Sequence, residues 1–198
     1  ASASLRLLPL LGRILRIDTL VLSAPDVALA RDADGQNNWT FPLQDQDNPR
    51  PNPWKVTVGK LSVEQGQLAY ADAVRKLALR AKLATEAHPA EGDAPRYGLR
   101  FELLGQFRDA EVSGQGRAGQ LLSLQSAHVE YPIEFDARAG ATRAHVRGTL
   151  SNPRKLSGMD LQVTLQGQSM ADLYDLTGLG LPNTPPYKTS GHLVGSLE

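Results

Sequence analysis

Residues 126–137 read Ser-Ala-His-Val-Glu-Tyr-Pro-Ile-Glu-Phe-Asp-Ala. Every second side chain is apolar (Ala127, Val129, Tyr131, Ile133, Phe135, Ala137), and the intervening set (Ser126, His128, Glu130, Pro132, Glu134, Asp136) contains no large hydrophobe. Successive side chains of a β-strand point to opposite faces, so this stretch predicts a strand with one apolar side and one wet side. Pro132 has no N–H to give a ladder, which implies an edge position, a bulge or a break between shorter strands. The rhythm returns over Thr142–Leu150, where Ala144, Val146 and Leu150 alternate with Arg143, His145 and Arg147. It returns again over Leu161–Gly167, with Leu161, Val163 and Leu165 against Gln162, Thr164 and Gln166. Such a sheet must have its apolar face covered by helices, by a second sheet, or by something outside the chain. Two short helical candidates are too little cover, so either the sheet folds over on itself or it leaves an apolar trough for a ligand.

Composition narrows the classes. With 198 residues, 41% of them hydrophobic and 21% charged, the chain can bury a sizeable core. Lys plus Arg and Asp plus Glu are 21 each, so no global basic field invites nucleic acid. The absence of cysteine excludes disulfides, thiol catalysis and Cys-based zinc sites. No apolar run reaches the roughly 18 residues needed to span a bilayer, and Arg6 and Arg13 interrupt the Leu5–Leu15 run that would otherwise resemble a secretory signal. The chain reads as a single segment, 1–198, excised from a longer protein.

In order along the chain, residues 1–15 predict a short N-terminal helix with Ser4 as N-cap, lying on a membrane surface or packed into the core. A first strand set spans 16–110 and a second 111–168. The first includes runs over Ile14–Ser23 and Asp26–Arg31 broken at Ala24-Pro25, a turn at Asp34-Gly35, a Pro-rich loop over Pro42–Pro53, and a hairpin from Trp54–Val63 and Gly66–Ala71. Val74–Thr85 has helix-favouring composition, but Leu77, Leu79, Ala81 and Leu83 alternate with charged residues, which predicts a strand. Tyr97–Phe107 continues the alternation, and residues 86–96 form a turn. A short helix follows over 169–178, N-capped by Ser169 with Asp172 completing a capping box. Residues 179–198 form a Pro-rich connector and a last strand.

Chemistry is sparse. Asp32, Asp34 and Asn37 lack the bidentate Glu of a calcium loop, and the four histidines have no metal-ligand spacing. Gly114-Gln-Gly116-Arg-Ala-Gly119 fits a dinucleotide motif on paper, but alternation rather than a helix follows it, so the glycines are expected where strands bend or approach another backbone closely. No nucleophile elbow or identifiable carboxylate pair occurs. The expectation is a non-enzyme with no cofactor and no metal.

Two motifs point to a family. Asp34-Gly35 followed by Asn38-Trp39-x-Phe41 resembles a hairpin of AsmA-like proteins of Gram-negative bacteria. Gly167-x-Ser-Met-Ala-Asp-Leu-Tyr174 with Gly180-Leu-Pro-x-Thr-Pro-Pro-Tyr-x-x-Ser-Gly-x-Leu193 is similar to a strand-helix-strand unit of the same proteins. The likeness runs over roughly Ile14–Leu197. It implies a mainly β fold: a long curved antiparallel sheet, a β-taco or half-pipe with an apolar concave face, plus one or two short helices. It further implies a periplasmic protein held to the inner membrane by an anchor absent from this chain, with phospholipid acyl chains as partners. The role implied is phospholipid transport between inner and outer membrane and outer-membrane maintenance, with an outer-membrane or periplasmic protein as further partner. The candidate groove lining is Leu99, Phe101, Leu103, Val129, Tyr131, Ile133, Phe135, Val146, Leu161, Val163 and Leu165. The alternative is a periplasmic scaffold whose sheet closes into a dry sandwich or barrel, acting in outer-membrane assembly without carrying lipid. About ten strands spaced ~4.8 Å apart would make a trough on the order of 48 Å long. Enclosing a tail of some sixteen carbons at about 0.8 kcal/mol per methylene gives on the order of 10 kcal/mol before ordering costs.

Overall fold

The computed structural model describes residues 2–6, 14–40, 55–86, 97–108, 110–125, 130–153, 157–174 and 180–196. The alternating stretches become strands, and most pair with their sequence neighbours. They are β1 (Ser2–Arg6), β2 (Ile14–Ser23), β3 (Asp26–Arg31), β4 (Lys55–Glu64), β5 (Gly66–Asp72), β6 (Leu77–Thr85), β7 (Leu99–Phe107), β8 (Ala110–Ala118), β9 (Tyr131–Ala139), β10 (Thr142–Asn152), β11 (Ser157–Gly167) and β12 (Tyr187–Ser196). A nine-stranded sheet runs β12-β11-β10-β9-β8-β7-β6-β5-β3, and a three-stranded one β1-β2-β4. From β5 to β12 each strand pairs antiparallel with the next, through links of two to four residues at four of the seven connections and longer ones at the rest. The large sheet is mostly antiparallel and not closed.

Two strand pairs are parallel, β2 with β4 and β3 with β5. The chain leaves β2 for β3 through Ala24-Pro25 and β4 for β5 through Gln65, with Ala24 at φ 47° and Gln65 at φ 51°. Left-handed conformations are uncommon outside glycine, and here they bend two side-by-side strands out of the small sheet and into the large one together. The hairpin expected from Trp54–Val63 and Gly66–Ala71 is therefore not formed. One residue cannot reverse the chain, so β4 and β5 enter different sheets as successive parts of one bent path. The N-terminal helix expected over 1–15 is also overturned in its described part. Ser2–Arg6 is a strand paired antiparallel with β2, because the ladder groups of that edge outweigh the weak helical preference of so short a segment. The helix expected over 169–178 is, as far as described, a 3₁₀ turn at Met170–Leu173, with the Ser169–Asp172 capping box in place.

Pro132, expected at an edge, a bulge or a break, is the second residue of β9, an interior strand between β8 and β10. Residues 126–129 lie outside the described residues, and β9 starts at Tyr131, with Pro132 near its start opposite Thr149. Before it, Leu121–Gln125 forms a 3₁₀ turn where alternation predicted a strand. Gly114 and Gly116 lie within β8, and a side chain at Gly116 would run into the Glu134 carbonyl oxygen. This is the close backbone approach expected of those glycines.

One edge of the large sheet is sealed from within. Beyond β3 the chain turns at Gly35 (φ 82°), and Asn38 comes back along the strand. Its side-chain amide donates to Ala28 O at 3.0 Å and accepts from Ala30 N–H at 2.9 Å, while its own backbone N–H donates to Ala30 O at 3.1 Å. A side-chain amide thus supplies the donor and acceptor of a further strand and blunts an edge otherwise open to strand addition. Two solvent-accessible hydrogen bonds contribute about 1–2 kcal/mol. Asn38→Ala is expected to lower the melting temperature by several degrees, with Asn38→Asp, which keeps only the acceptor, falling between; differential scanning calorimetry of the three proteins checks the order.

Candidate functional site

The site follows from register. Cross-strand partners share a face, so the pairings carry Leu83, Phe101, Gly116, Phe135, Val146, Val163 and Gly191 into one row across seven strands. The next row on the same face is Ala81, Leu103, Gly114, Ala137, Ala144, Leu165 and Thr189. Between them, on the opposite face, runs Lys82, Glu102, Gln115, Asp136, His145, Thr164 and Ser190. The alternation read strand by strand is therefore coherent across the sheet.

All the candidate lining residues except Val129, which is outside the described residues, stand on this one face. Leu99, Tyr131, Val146 and Leu161 are buried in a cluster with Ala118, Leu150 and Met159, and Phe101, Ile133, Phe135 and Val163 pack against it half-buried. Leu103 and Leu165 are half-buried too. Sequence reasoning left out of the candidate set Leu68, Leu77, Leu79, Leu83 and Val112, which belong to the same face and keep the same partial exposure. Their alternation was the available signal. Beside the buried cluster, Leu121 of the 3₁₀ turn packs in, and Val63 of the small sheet donates its N–H to Thr85 Oγ1 at 2.8 Å. Elsewhere on the face, apolar side chains remain half-exposed, and Val27 is 45% exposed.

A recess of about 2180 Å³ lies along the sheet, lined by Arg80, Lys82, Glu102, Arg138, His145 and Lys188 together with Leu68, Leu79, Leu103 and Val112. Charged residues of one parity and apolar residues of the other thus both contribute to its wall. Cross-strand contacts knit the polar face: His145 Nδ1 to Asp136 at 2.8 Å, His192 Nε2 to Asp160 at 2.7 Å, and Thr164 Oγ1 to Ser190 Oγ at 3.0 Å. Tyr97 Oη and Arg117 each donate to Glu134 Oε2 at 3.0 Å, and the Arg117 guanidinium lies 4.5 Å from the Tyr97 ring. Burial alone would raise the Glu134 carboxyl, but these two hydrogen bonds prevail and hold it below its ordinary value. Tyr131, buried with its hydroxyl donating to Gly119 O at 3.1 Å, is pushed up to about 12 by desolvation.

At the β3 end the apolar face closes on a charged cluster. Asp72, 1% exposed, accepts the Arg75 backbone N–H at 3.0 Å and the Tyr70 hydroxyl at 3.1 Å. Its carboxylate lies 3.6 Å from Arg31 and 3.7 Å from Arg75. Trp39 packs over this cluster, its ring centroid 5.9 Å from that of Tyr70 and 5.8 Å from the Arg31 guanidinium. The motif Asp34-Gly35-x-x-Asn38-Trp39 thus has its roles: Gly35 makes the turn, Asn38 seals the edge, and Trp39 covers the end of the face. The Arg75 amide, aided by Tyr70 and the two guanidinium groups, outweighs burial and holds the Asp72 carboxyl below its ordinary value. A depressed carboxyl contributes stability above the unfolded value, about 3.9, and loses it as pH falls through the folded one. Asp72→Asn is therefore expected to be less stable at neutral pH and to lose less stability than wild type on acidification below about pH 4; thermal melts across pH 2–7 check this.

Among the described residues no helix is long and apolar enough to cross a membrane. The AsmA family model matches residues 1–130. Over 99% of its length the chain is 31% identical to the AsmA family protein YhjG of Escherichia coli strain K12, of which it covers 31%. It thus spans about a third of that curated relative. No solved structure matches. Motif, open one-faced sheet and sequence match agree, and the chain belongs to the AsmA family.

Proposed function

We propose that this segment is a lipid-binding surface in the cell envelope, taking part in phospholipid movement between inner and outer membrane and so in outer-membrane maintenance. Family membership supports an envelope role in outer-membrane assembly or lipid transport. The observation that carries the finer reading is the apolar face itself: aligned in register over nine strands, half-exposed over much of its extent and, among the described residues, not matched by a second sheet of similar size. Apolar surface gains on the order of 25 cal/mol per Å² when removed from water, and extended apolar patches on soluble proteins mark binding sites. An acyl chain fits such a face without specific contacts. It could slide from row to row because neighbouring rows present the same Leu, Val, Phe and Ala surface. In this reading the whole protein works in the periplasm from an inner-membrane anchor, with acyl chains and an envelope protein as partners, and performs no catalysis.

A scaffold with a dry closed core is the weaker reading, since the nine-stranded sheet is not closed. The purified protein is expected to carry phospholipid detectable by mass spectrometry. Phe135→Asp and Val163→Glu, on the apolar face, are expected to lower its amount several-fold, while Gln162→Glu, on the polar face, leaves it unchanged. Circular dichroism controls for folding, and equal lipid content in all four proteins would overturn the reading.

A further inference from the structure

The turns along one rim of the apolar face share a feature that the fold does not require. β5 and β6 are joined through Lys76 at φ 52°, and β7 and β8 through Arg108 at φ 54°. Glycine or asparagine adopts this left-handed conformation at less cost than any long side chain, yet both positions hold cations. The next turn on the rim places Gly140 there (φ 55°), with Arg138 and Arg143 flanking it. The turns are bonded edge to edge: Arg108 N–H donates to Lys76 O at 2.7 Å, Gly140 N–H to Glu111 O at 3.1 Å, and Ala73 N–H to Arg31 O at 2.9 Å. Lys76 and Arg108 are therefore backbone neighbours at exposed turns, each carrying a cationic side chain. A left-handed backbone kept at two adjoining cationic positions points to a ligand.

Position specifies the ligand. Directly inside the two turns, Leu77 and Phe107 are cross-strand partners on the apolar face. The Arg108 guanidinium lies 5.2 Å from the Phe107 ring centroid, at the border between the apolar face and water. Arg75, whose side chain is 64% exposed, stands beside them. Among the described residues the rim's acids are Asp72, buried beneath Arg31 and Arg75, Asp32, which accepts the Gln36 N–H, and the exposed Asp34 and Glu111; Asp109, next to Arg108 in sequence, lies outside the described residues. The geometry points to a phosphate-binding rim: Lys76 and Arg108 hold the phosphate of a lipid headgroup whose tails lie inward over Leu77, Phe107 and Leu79. This rests on the lipid reading above and adds polarity to it, with heads at the hairpin tips and tails across the strands. Successive hairpins lie about 10 Å apart, twice the strand spacing, so the flanking arginines of the next turn offer a second station for the same phosphate.

The test uses Lys76→Asn/Arg108→Asn, in which asparagine suits the left-handed backbone and folding is preserved. The probes are a short-chain phosphatidylglycerol below its micellar concentration and a diacylglycerol of the same chains lacking phosphate, both followed by displacement of an apolar dye. The expected result is phosphatidylglycerol affinity about tenfold weaker in the variant, diacylglycerol affinity unchanged, and no competition by millimolar inorganic phosphate. Equal phosphatidylglycerol affinity in both proteins overturns the rim proposal and leaves the apolar-face reading standing. Competition by inorganic phosphate alone also overturns it, assigning the turns to free anions. Failure of diacylglycerol to bind wild type, with the phosphatidylglycerol loss intact, upholds the rim and removes the apolar-face reading. Failure of both lipids removes both.

Discussion

Everything in this molecule depends on parity. A strand has two sides, and a slip of one residue in any pairing would send every apolar side chain of that strand to the wet face. The sheet keeps count across its interior: from Leu77 of β6 to Gln166 of β11 the pairings advance residue for residue. Among the described residues, register shifts occur at Ser4/Leu5 in the small sheet and where β12 meets β11. Longer connections join β6 to β7, β8 to β9 and β11 to β12, but at β5–β6, β7–β8, β9–β10 and β10–β11 short ones hold the count, because two to four residues leave little room for slippage. Their left-handed positions are filled by Lys76, Arg108 and Gly140.

That dependence explains what could be read from the chain. A period of two is visible in one strand at a time, and because each strand pairs with its neighbour, local reading scaled to the whole face. Leu99, Phe101, Leu103, Phe135, Val163 and Leu165 could be placed on one side before any coordinates, and so could the ambiguous Leu77–Thr85, where alternation outweighed helical composition. What failed was non-local. Nothing in Ser2–Arg6 announces that β2 will offer it an edge, and nothing in Gln65 announces that a single residue will pass the chain from one sheet to another rather than turn it back. The sheet corner arises from two distant left-handed residues, Ala24 and Gln65, acting together. Lys76 and Arg108 were missed for the same reason, being thirty-two positions apart in sequence and adjacent only once β6 and β7 pair.

Alternation also says which side of a sheet is apolar without saying which side is hollow. Hollowness comes from the accumulated twist of the strands, and here a recess draws its wall from Arg80, Lys82 and Glu102 as well as from Leu79, Leu103 and Val112. The apolar face is an open surface, buried where Leu121 and the small sheet approach it and half-exposed elsewhere. An open face suits a guest that must leave as readily as it arrives, whereas an enclosed cavity would hold it.

The amide of Asn38 has a consequence for how molecules of this kind meet one another. A sheet with two free edges can add neighbours on both sides without limit, which is how fibrils grow. At the β3 edge the Ala28 carbonyl and both Ala30 backbone groups are already engaged by Asn38. A neighbouring strand arriving there would have to displace a covalently tethered competitor, so one side-chain carboxamide makes this border a poor template for strand addition.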